Sequence, residues 1–182
     1  MSTSRARSRV LRVALGSAAL AAALLGTVAG ETSAGSKGSV TVTIRDECEP
    51  ASFNAALGEG ACVGDGDVTI DELFATLNPA DFGHDKWRFQ PSSVGVKTGT
   101  TFVLVNRGGE THSFTEVLNF GPGIVPPLNA VFPDGTPDAV PVPGDPHFVG
   151  PGMSASFTVS GQGTHLFMCL IHPWMETTVT VK

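Results

Sequence analysis

Three potential metal ligands stand close together near the end of the chain. The stretch CLIHPWM, residues 169–175, places a thiol at Cys169, an imidazole at His172 and a thioether at Met175, with two residues between each pair. Soft sulfur ligands favour Cu(I) and imidazole nitrogens suit Cu(II), and a plane of two histidines and one cysteine with a weak axial methionine is the blue-copper arrangement. The spacing therefore predicts a copper site that needs one more histidine.

A second histidine that could complete this set is His112. It opens the strand-like stretch HSFT after the turn sequence NRGGET, where a β-sandwich could bring it beside the loop that follows Cys169. The alternative is a buried structural cysteine, a core methionine and a surface histidine that are neighbours by chance, and each residue taken alone favours that interpretation. The joint pattern favours a ligand set.

The first thirty residues have the layout of a secretory signal peptide. Four arginines precede a nearly unbroken apolar run over residues 13–28, and the small residues Ala29 and Gly30 follow it. We therefore predict that residues 1–30 are a signal peptide and that the protein is secreted or extracytoplasmic, in a periplasm or cell envelope. A retained N-terminal anchor is the alternative, although no later apolar stretch of about 18 residues predicts stable membrane insertion.

Three cysteines are an odd number for a chain exposed to oxidising conditions. Cys48 and Cys62 are the expected disulfide pair, because they close the 15-residue loop CEPASFNAALGEGAC. Closing a loop of this length is worth about 3 kcal/mol in the chain-entropy model. Two buried free thiols are the alternative at these positions. Cys169 then remains as the sulfur that needs another role.

Removal of the signal peptide makes the chain strongly acidic. Four of the 11 basic residues lie in residues 1–30, so seven remain against 17 acidic residues, a net charge near −10. A nucleic-acid partner is therefore not expected. Residues 46–85 hold ten acidic residues and no Lys or Arg. Such a segment is typical either of a solvated surface or of one that steers a basic redox partner such as a cytochrome.

Short stretches of alternating apolar and polar residues recur along the chain. They are SVTVTI at 39–44, SVGVK at 93–97, TFVLVN at 101–106, HSFT at 112–115, SASFTVS at 154–160, THLFMC at 164–169 and TTVTVK at 177–182. Runs of this period, rich in Val, Thr and Phe, predict antiparallel strands, and their number in one domain predicts an all-β fold, a Greek-key β-sandwich. We predict a flexible segment over residues 31–39 and a single domain over residues 40–182.

Two segments interrupt the strand pattern. Within residues 46–85, one short helix is predicted to begin at Pro50, and a second follows the capping box of Thr69 and Glu72. The stretch DGDVTIDELF fits a calcium-binding loop poorly, so a plain helix cap is preferred there. Residues 116–150 hold eight of the 13 prolines, which predicts a long ordered loop across one end of the sandwich.

The strand and ligand-loop sequences resemble those of the cupredoxins, the small blue-copper proteins that include plastocyanin and azurin. The resemblance is carried by WRFQPSSVGVKTGTTFVLVNRGGETHSFT and PGMSASFTVSGQGTHLFMCLIHPWMETTVTVK, and it covers residues 40–44, 87–115 and 151–182. The Cys-x-x-His-x-x-Met spacing is similar to that of the short ligand loop of amicyanin. The resemblance implies one type 1 copper ion. Its implied ligands are His112, Cys169, His172 and Met175.

The resemblance also implies roles for neighbours of these ligands. The histidine of the last loop is the usual electron port in cupredoxins, here His172 with Pro173 and Trp174. The thiolate is expected to accept a backbone hydrogen bond from Ser113, next to the first histidine. Ile171 stands where plastocyanin and amicyanin have proline, which lacks an amide hydrogen, so its amide is expected to donate a second bond to the sulfur.

The expected function is that of an exported one-electron carrier, not an enzyme. His84, His147 and His165 are isolated from one another, whereas copper enzymes of this family need additional histidine clusters, and no acid/base pair accompanies the site. The carrier is expected to be a monomer that meets a redox protein with a basic docking surface through a small, brief contact. Two alternatives stay open: copper sequestration or delivery in the envelope without a redox role, and a metal-free cupredoxin-like binding module.

Overall fold

The computed structural model describes residues 38–144 and 147–182. Within these ranges the strands are β1 (Ser39–Arg45), β2 (Arg88–Gln90), β3 (Ser93–Val96), β4 (Thr101–Asn106), β5 (His112–Val117), β6 (His147–Val149), β7 (Ser154–Thr158), β8 (Gly163–Met168) and β9 (Glu176–Val181). The α-helices there are α1 (Pro50–Leu57) and α2 (Ile70–Ala75), and a 3₁₀ helix spans Pro126–Val131. None of these helices is long and apolar enough to cross a membrane.

The strands form two sheets. One sheet has the order β2-β1-β4-β7 and the other has the order β3-β9-β8-β5-β6. Both sheets are mixed, because β1 pairs with β4 in parallel and β3 pairs with β9 in parallel, whereas the other neighbours are antiparallel. The predicted all-β sandwich is confirmed, but the antiparallel pairing predicted for its strands is wrong for β1 with β4 and for β3 with β9.

Aromatic side chains join the two sheets. Phe114 of β5 packs edge-on against Phe89 of β2, with ring centroids 4.9 Å apart, and Phe167 of β8 lies 5.6 Å from Phe157 of β7. The period-two sequence of each strand turns these rings inward. Burying one phenylalanine side chain is worth about 1.5–3 kcal/mol, so this cluster is a main contributor to the stability of the sandwich.

Strand β5 is covered on both faces, which matters because it carries the first candidate ligand. Residues 112–115 are all buried, with Phe114 in the inter-sheet core. On the opposite face, Val117 belongs to a small buried cluster with Met168. Phe120 and Ala139 of the Pro-rich segment, residues 116–150, pack against that cluster. The Pro-rich segment therefore closes the outer side of the sheet next to the candidate ligands.

The acidic segment, residues 46–85, contains the two short helices that the sequence predicts. Thr69 and Glu72 form the predicted capping box at the start of α2. Cys48 and Cys62 form a disulfide, which confirms the predicted pairing. The disulfide closes the loop that contains α1, just after the end of β1.

Some features differ from the sequence-based expectation. Strands β2 and β6 were not expected, because three residues are too few to show a period-two pattern. The 3₁₀ helix begins at Pro126, whose fixed φ suits the first position of a helical turn. Ser39 already belongs to β1. The predicted signal peptide (1–30) and residues 31–37 lie outside the described ranges, so the domain boundaries remain predictions.

Candidate metal centre

Three predicted ligand side chains meet inside the protein. His112 begins β5, Cys169 follows β8, and His172 lies in the loop between β8 and β9. Each histidine Nδ1 lies 3.9 Å from the Cys169 sulfur, and the three side chains can present one ligand atom each within 4.8 Å of one another. All three are almost completely buried, with exposed fractions of 0%, 0% and 2%.

The ligand loop is held by its own backbone and by its neighbours. The amide of Cys169 donates to the carbonyl of Met175 (3.0 Å), and the amide of Met175 donates to the carbonyl of His172 (3.0 Å). The hydroxyl of Ser113 accepts a hydrogen bond from the amide of Leu170 at 2.7 Å. Because Ser113 also follows the first histidine directly, this bond links the two parts of the candidate site.

The Pro-rich segment adds a further support to the loop. The amide of Ile124 donates to the carbonyl of Leu170 at 2.8 Å. Gly123 approaches the same carbonyl so closely that a Cβ at this position would lie 2.2 Å from the oxygen. Any side chain at Gly123 would push the ligand loop away, so a glycine is required here.

Two backbone amides point at the sulfur of Cys169. The amide of Ser113 lies 3.4 Å from it, as expected from the resemblance. The second amide is that of His172, at 3.3 Å, and not that of Ile171, which the sequence reasoning had assigned. The turn after Cys169 brings the amide of the residue three positions later, His172, back to the sulfur.

The environment favours the thiolate form of Cys169. Burial raises the pKa of the thiol, but the side chains of His112 and His172 outweigh burial and leave the pKa well below the usual 9.0. The thiolate is the form of cysteine that binds metals. The free cysteine of the described chain is therefore prepared as a ligand.

A buried carboxylate holds the ring of His112 in place. Oδ2 of Asp46 lies 2.7 Å from His112 Nε2, and the carboxylate also accepts hydrogen bonds from the amides of Cys48, Gly109 and Glu110. When the ring is neutral, a proton on Nε2 leaves the Nδ1 lone pair directed toward the sulfur. Metal-binding histidines are commonly oriented in this way by a carboxylate.

The same contact shifts two pKa values. Burial raises the pKa of Asp46, but the bonds from His112 and the backbone amides outweigh it and leave the pKa below the usual 3.8. Burial lowers the pKa of His112, yet its contacts with Asp46 and Cys169 raise the pKa to about 9. An ion that binds at Nδ1 must therefore displace a proton from the metal-free site.

A second carboxylate lies behind His172. Oε2 of Glu110 accepts a hydrogen bond from Trp87 Nε1 at 2.7 Å and lies 3.6 Å from His172 Nε2. Burial is the main cause of a raised pKa at Glu110. Each histidine thus faces the sulfur with Nδ1 and a carboxylate with Nε2.

Three residues around the site are not among those that the sequence predicts for it: Asp46, Glu110 and Trp87. A signal for both acids was present, because strand alternation extends to them: Asp46 continues the buried positions of β1, and Glu110 stands two residues before His112. Asp46 and Glu110 also form a group with Cys48 that resembles a metal site. Cys48 is in a disulfide, so that group lacks a free thiolate.

The other predicted site residues have mixed placements. Met175 is 1% exposed and belongs to the same core cluster as Cys169, and its role as a ligand remains a prediction. His172, Pro173 and Trp174 are all buried. The rings of His172 and Trp174 are 5.5 Å apart, and the role of the three residues as a port stays a prediction.

The remaining histidines do not join the candidate site. His165 Nδ1 lies 2.7 Å from Glu116 Oε1, His84 lies 3.4 Å from the exposed Asp85, and the ring of His147 stacks on a phenylalanine. Within residues 38–144 and 147–182, none of the three belongs to a group that could hold a metal.

The donor set fits a copper ion. Two imidazole nitrogens and a thiolate combine the nitrogen preference of Cu(II) with the sulfur preference of Cu(I). The 3.9 Å separations between sulfur and nitrogen leave room for an ion between them, since metal bonds to histidine and cysteine are about 2.0–2.3 Å long. The carboxylate behind each ring supplies the support that such ligands need.

Comparison with solved structures returns matches with TM-scores below 0.5. A purple cupredoxin from Nitrosopumilus maritimus is 14% identical, with a TM-score of 0.45, over 79% of this chain and 99% of that chain. A reduced variant of amicyanin is 21% identical, with a TM-score of 0.37, over 54% of this chain and 77% of that chain. A copper-containing nitrite reductase from Thermus scotoductus is 21% identical, with a TM-score of 0.34, over 52% of this chain and 20% of that chain.

No protein-family model matches the sequence, and no curated protein matches it. These likenesses have TM-scores below 0.5 and assign neither a family nor a function. The two mixed sheets themselves confirm the expected β-sandwich.

Proposed function

We propose that this cupredoxin-like sandwich is a blue (type 1) copper protein that carries single electrons. The observation that carries the proposal is the buried convergence of two imidazole nitrogens and one thiolate, each imidazole having a carboxylate at its far nitrogen. The proposed ligands are His112, Cys169, His172 and Met175. Copper held there would supply a one-electron Cu(I)/Cu(II) couple.

The protein's own residues would keep the site rigid during electron transfer. Asp46 fixes the ring of His112, and the hydroxyl of Ser113 fixes the amide of Leu170. The amides of Ser113 and His172 donate to the sulfur and withdraw electron density from it, which favours Cu(I). Because the ligands would be held in place, little structural rearrangement would accompany the change between Cu(I) and Cu(II).

Voltammetry of the copper-loaded protein tests the carrier function. We expect one reversible wave with the stoichiometry of one electron per bound copper. An irreversible response, with copper lost on reduction, would contradict a carrier. The same experiment on the zinc-loaded protein gives the baseline, since Zn²⁺ has no redox chemistry.

The second candidate function is sequestration or delivery of copper without a redox role. The two functions differ in how readily the ion leaves, because a delivery protein must release its cargo. Ligands that are at most 2% exposed favour slow release, which supports the carrier. Transfer of copper to a Cu(I) chelator within seconds would favour delivery instead, whereas retention for hours would favour the carrier.

We propose that the carrier acts outside the cytoplasm, as a monomer, on a redox partner with a basic docking surface. The signal-peptide pattern of residues 1–30 supports the location, and the acidic segment supports the partner's charge. Reduction by a cationic redox protein should then slow as salt shortens the Debye length from about 30 Å at 0.01 M to about 10 Å at 0.1 M. The exposed acids to neutralise are Asp65, Asp67, Asp71 and Glu72.

Neutralisation of these four acids should flatten the salt dependence. If the neutralised protein keeps the same salt sensitivity, the acidic segment does not steer the partner and serves only to keep the protein soluble.

A further inference from the structure

The aromatic side chains around His172 lead toward one part of the surface. The ring centroid of His172 lies 6.4 Å from that of Trp87 and 5.5 Å from that of Trp174. Trp87 in turn lies 5.4 Å from His84, which meets it edge-on. His172 is 2% exposed and Trp87 is 1% exposed, whereas 19% of the His84 side chain is exposed. The rings therefore form a packed series from the candidate metal centre to solvent.

A polar bridge accompanies the contact between His172 and Trp87. Oε2 of Glu110 accepts the hydrogen bond from Trp87 Nε1 at 2.7 Å and lies 3.6 Å from His172 Nε2. His172 also borders an apolar cavity of about 280 Å³. Electron tunnelling weakens less steeply with distance through bonded or packed atoms than across an empty gap. The Trp87 side of His172 is therefore the better-coupled way to the surface.

Both tryptophans reach an open depression of the surface. Trp87 and Trp174 line it together with His84. Gly83 packs its backbone directly against Trp174, because a Cβ at this position would lie 2.3 Å from Cδ2 of the indole ring. Any side chain at Gly83 would push the ring away. The absence of a side chain there keeps the Trp174 ring at the depression.

The surface around His84 is acidic. His84 lines the depression just described and a second one beside it. Four exposed acids line one or the other of the two depressions: Asp67, Glu72, Asp81 and Asp85. The bases that line them are Lys86 and Arg88. Four acids against two bases give this surface a net negative charge, which attracts a cationic protein.

We propose that the redox partner docks over His84, on the surface formed by these two depressions, and that electrons pass between the partner and His172 through Trp87. The inference rests on the proposed carrier function and adds where the carrier exchanges its electron. One electron passes between the proposed copper ion and the partner, so that one of them is oxidised and the other is reduced. Trp87 only couples the two and is not itself oxidised, and the partner is a redox protein with a basic surface.

Nuclear magnetic resonance of the metal-free and the zinc-loaded protein tests the docking site without copper. The probe is oxidised cytochrome c, a basic one-electron carrier, and no electron can pass because Zn²⁺ has no redox chemistry. We expect signals of residues 81–88 and Trp174 to shift or broaden during the titration at low salt. Changes centred on the margin of the apolar cavity, at Leu57 and Phe74, or no changes at all, would overturn the docking site.

Charge reversal tests whether electrons are exchanged at the same surface. Asp85→Lys alters a side chain that is 92% exposed, and it should slow electron exchange between the copper-loaded protein and cytochrome c at least fivefold at low salt. Asp138→Lys is the matched control, because Asp138 is exposed and lines neither depression, and it should change the rate less than twofold. Equal slowing by both variants would overturn the site, since only the overall charge would then matter.

Trp87→Phe tests the route, because it keeps a ring in the core and removes the N–H group that Glu110 accepts. The rate of electron transfer within the saturated complex should fall at least fivefold, after correction for any change in potential. The affinity for cytochrome c should stay the same, because Trp87 is buried. Trp87→Leu is the second variant if the first does not fold. An unchanged rate within the complex would overturn the role of Trp87.

Voltammetry at an electrode separates failure of this inference from failure of the carrier function. A reversible wave in a protein whose exchange with cytochrome c is unaffected by Asp85→Lys and Trp87→Phe would overturn the inference and leave the carrier function standing. The absence of a reversible wave would overturn both the carrier function and the electron route.

Discussion

Replacement of Asp46 by asparagine should weaken both the fold and the candidate metal centre. The carboxylate is 5% exposed. One oxygen accepts from the amides of Cys48 and Gly109, at 3.2 Å and 2.9 Å. The other accepts from the amide of Glu110 and from His112 Nε2, at 3.2 Å and 2.7 Å. An asparagine has only one such oxygen, so in either orientation two donors lose their acceptor and meet an NH₂ group.

The size of the effect follows from these contacts. A hydrogen bond to a charged group is worth about 1.5–3 kcal/mol and a neutral one about 1 kcal/mol, so Asp46→Asn should lower the free energy of unfolding of the metal-free protein by about 3 kcal/mol. Loss of a carboxylate that orients a metal-binding histidine typically costs about 10–100-fold in metal affinity. Copper binding by the variant should fall by a factor in this range.

Urea unfolding followed by circular dichroism measures the first quantity, and competition with a chelator measures the second. Asp65→Asn is the matched control, because Asp65 is exposed and surface substitutions usually change stability by less than about 0.5 kcal/mol. If Asp46→Asn costs less than about 1 kcal/mol and leaves copper affinity unchanged, the assignment of Asp46 as the support of His112 is refuted.

Met175→Leu should keep the blue colour and raise the reduction potential in voltammetry, by about 60 mV for each tenfold shift in relative affinity toward Cu(I); an unchanged potential would exclude a methionine ligand. Ile171→Pro should leave the potential unchanged, because the amide that reaches the sulfur is that of His172, and a clear fall would restore Ile171 as the donor. Glu49 and Glu72 have pKa values below the usual 4.5 because amides at the helix N-termini donate to them. The stability that these two carboxylates add is present above the unfolded-state pKa and is lost as the pH falls through the folded-state pKa. Converting both to glutamine should therefore make the free energy of unfolding, measured with urea, fall less steeply with decreasing pH below pH 4.5.

The ligand loop could be predicted because its ligands lie close together in the sequence. Cys169, His172 and Met175 lie within seven residues, and a short loop cannot separate side chains at this spacing by a large distance. His112 is distant in sequence, and it was found through its strand context and the family resemblance. The structure brings it, Cys169 and His172 together.

The supporting carboxylates could not be assigned in the same way, because their roles depend on tertiary contacts. Asp46 stands 66 residues before His112, and its position opposite that ring depends on the pairing of β1 with β4 and on the turn before β5. Strand alternation could have marked Asp46 and Glu110 as inward-facing. It could not have shown which side chain each of them meets.

The burial of His172 could not be predicted from the sequence either. The helices of the acidic segment were predicted from their caps and apolar faces, but a helical pattern does not say which surface the helix covers. In the structure Phe53 and Leu73 of those helices line the space beside His172. The role of His172 as an electron port stays a prediction.

The central claim is that Cys169 is the thiolate ligand of a type 1 copper ion, and the visible spectrum of the copper-loaded protein tests it most directly. The wild type should bind one copper and show an intense blue absorption band. Cys169→Ser should lose that band while retaining the circular dichroism of the sandwich and the Cys48–Cys62 disulfide. A wild-type protein that binds copper without colour, or a serine variant that stays as blue as the wild type, would contradict the account.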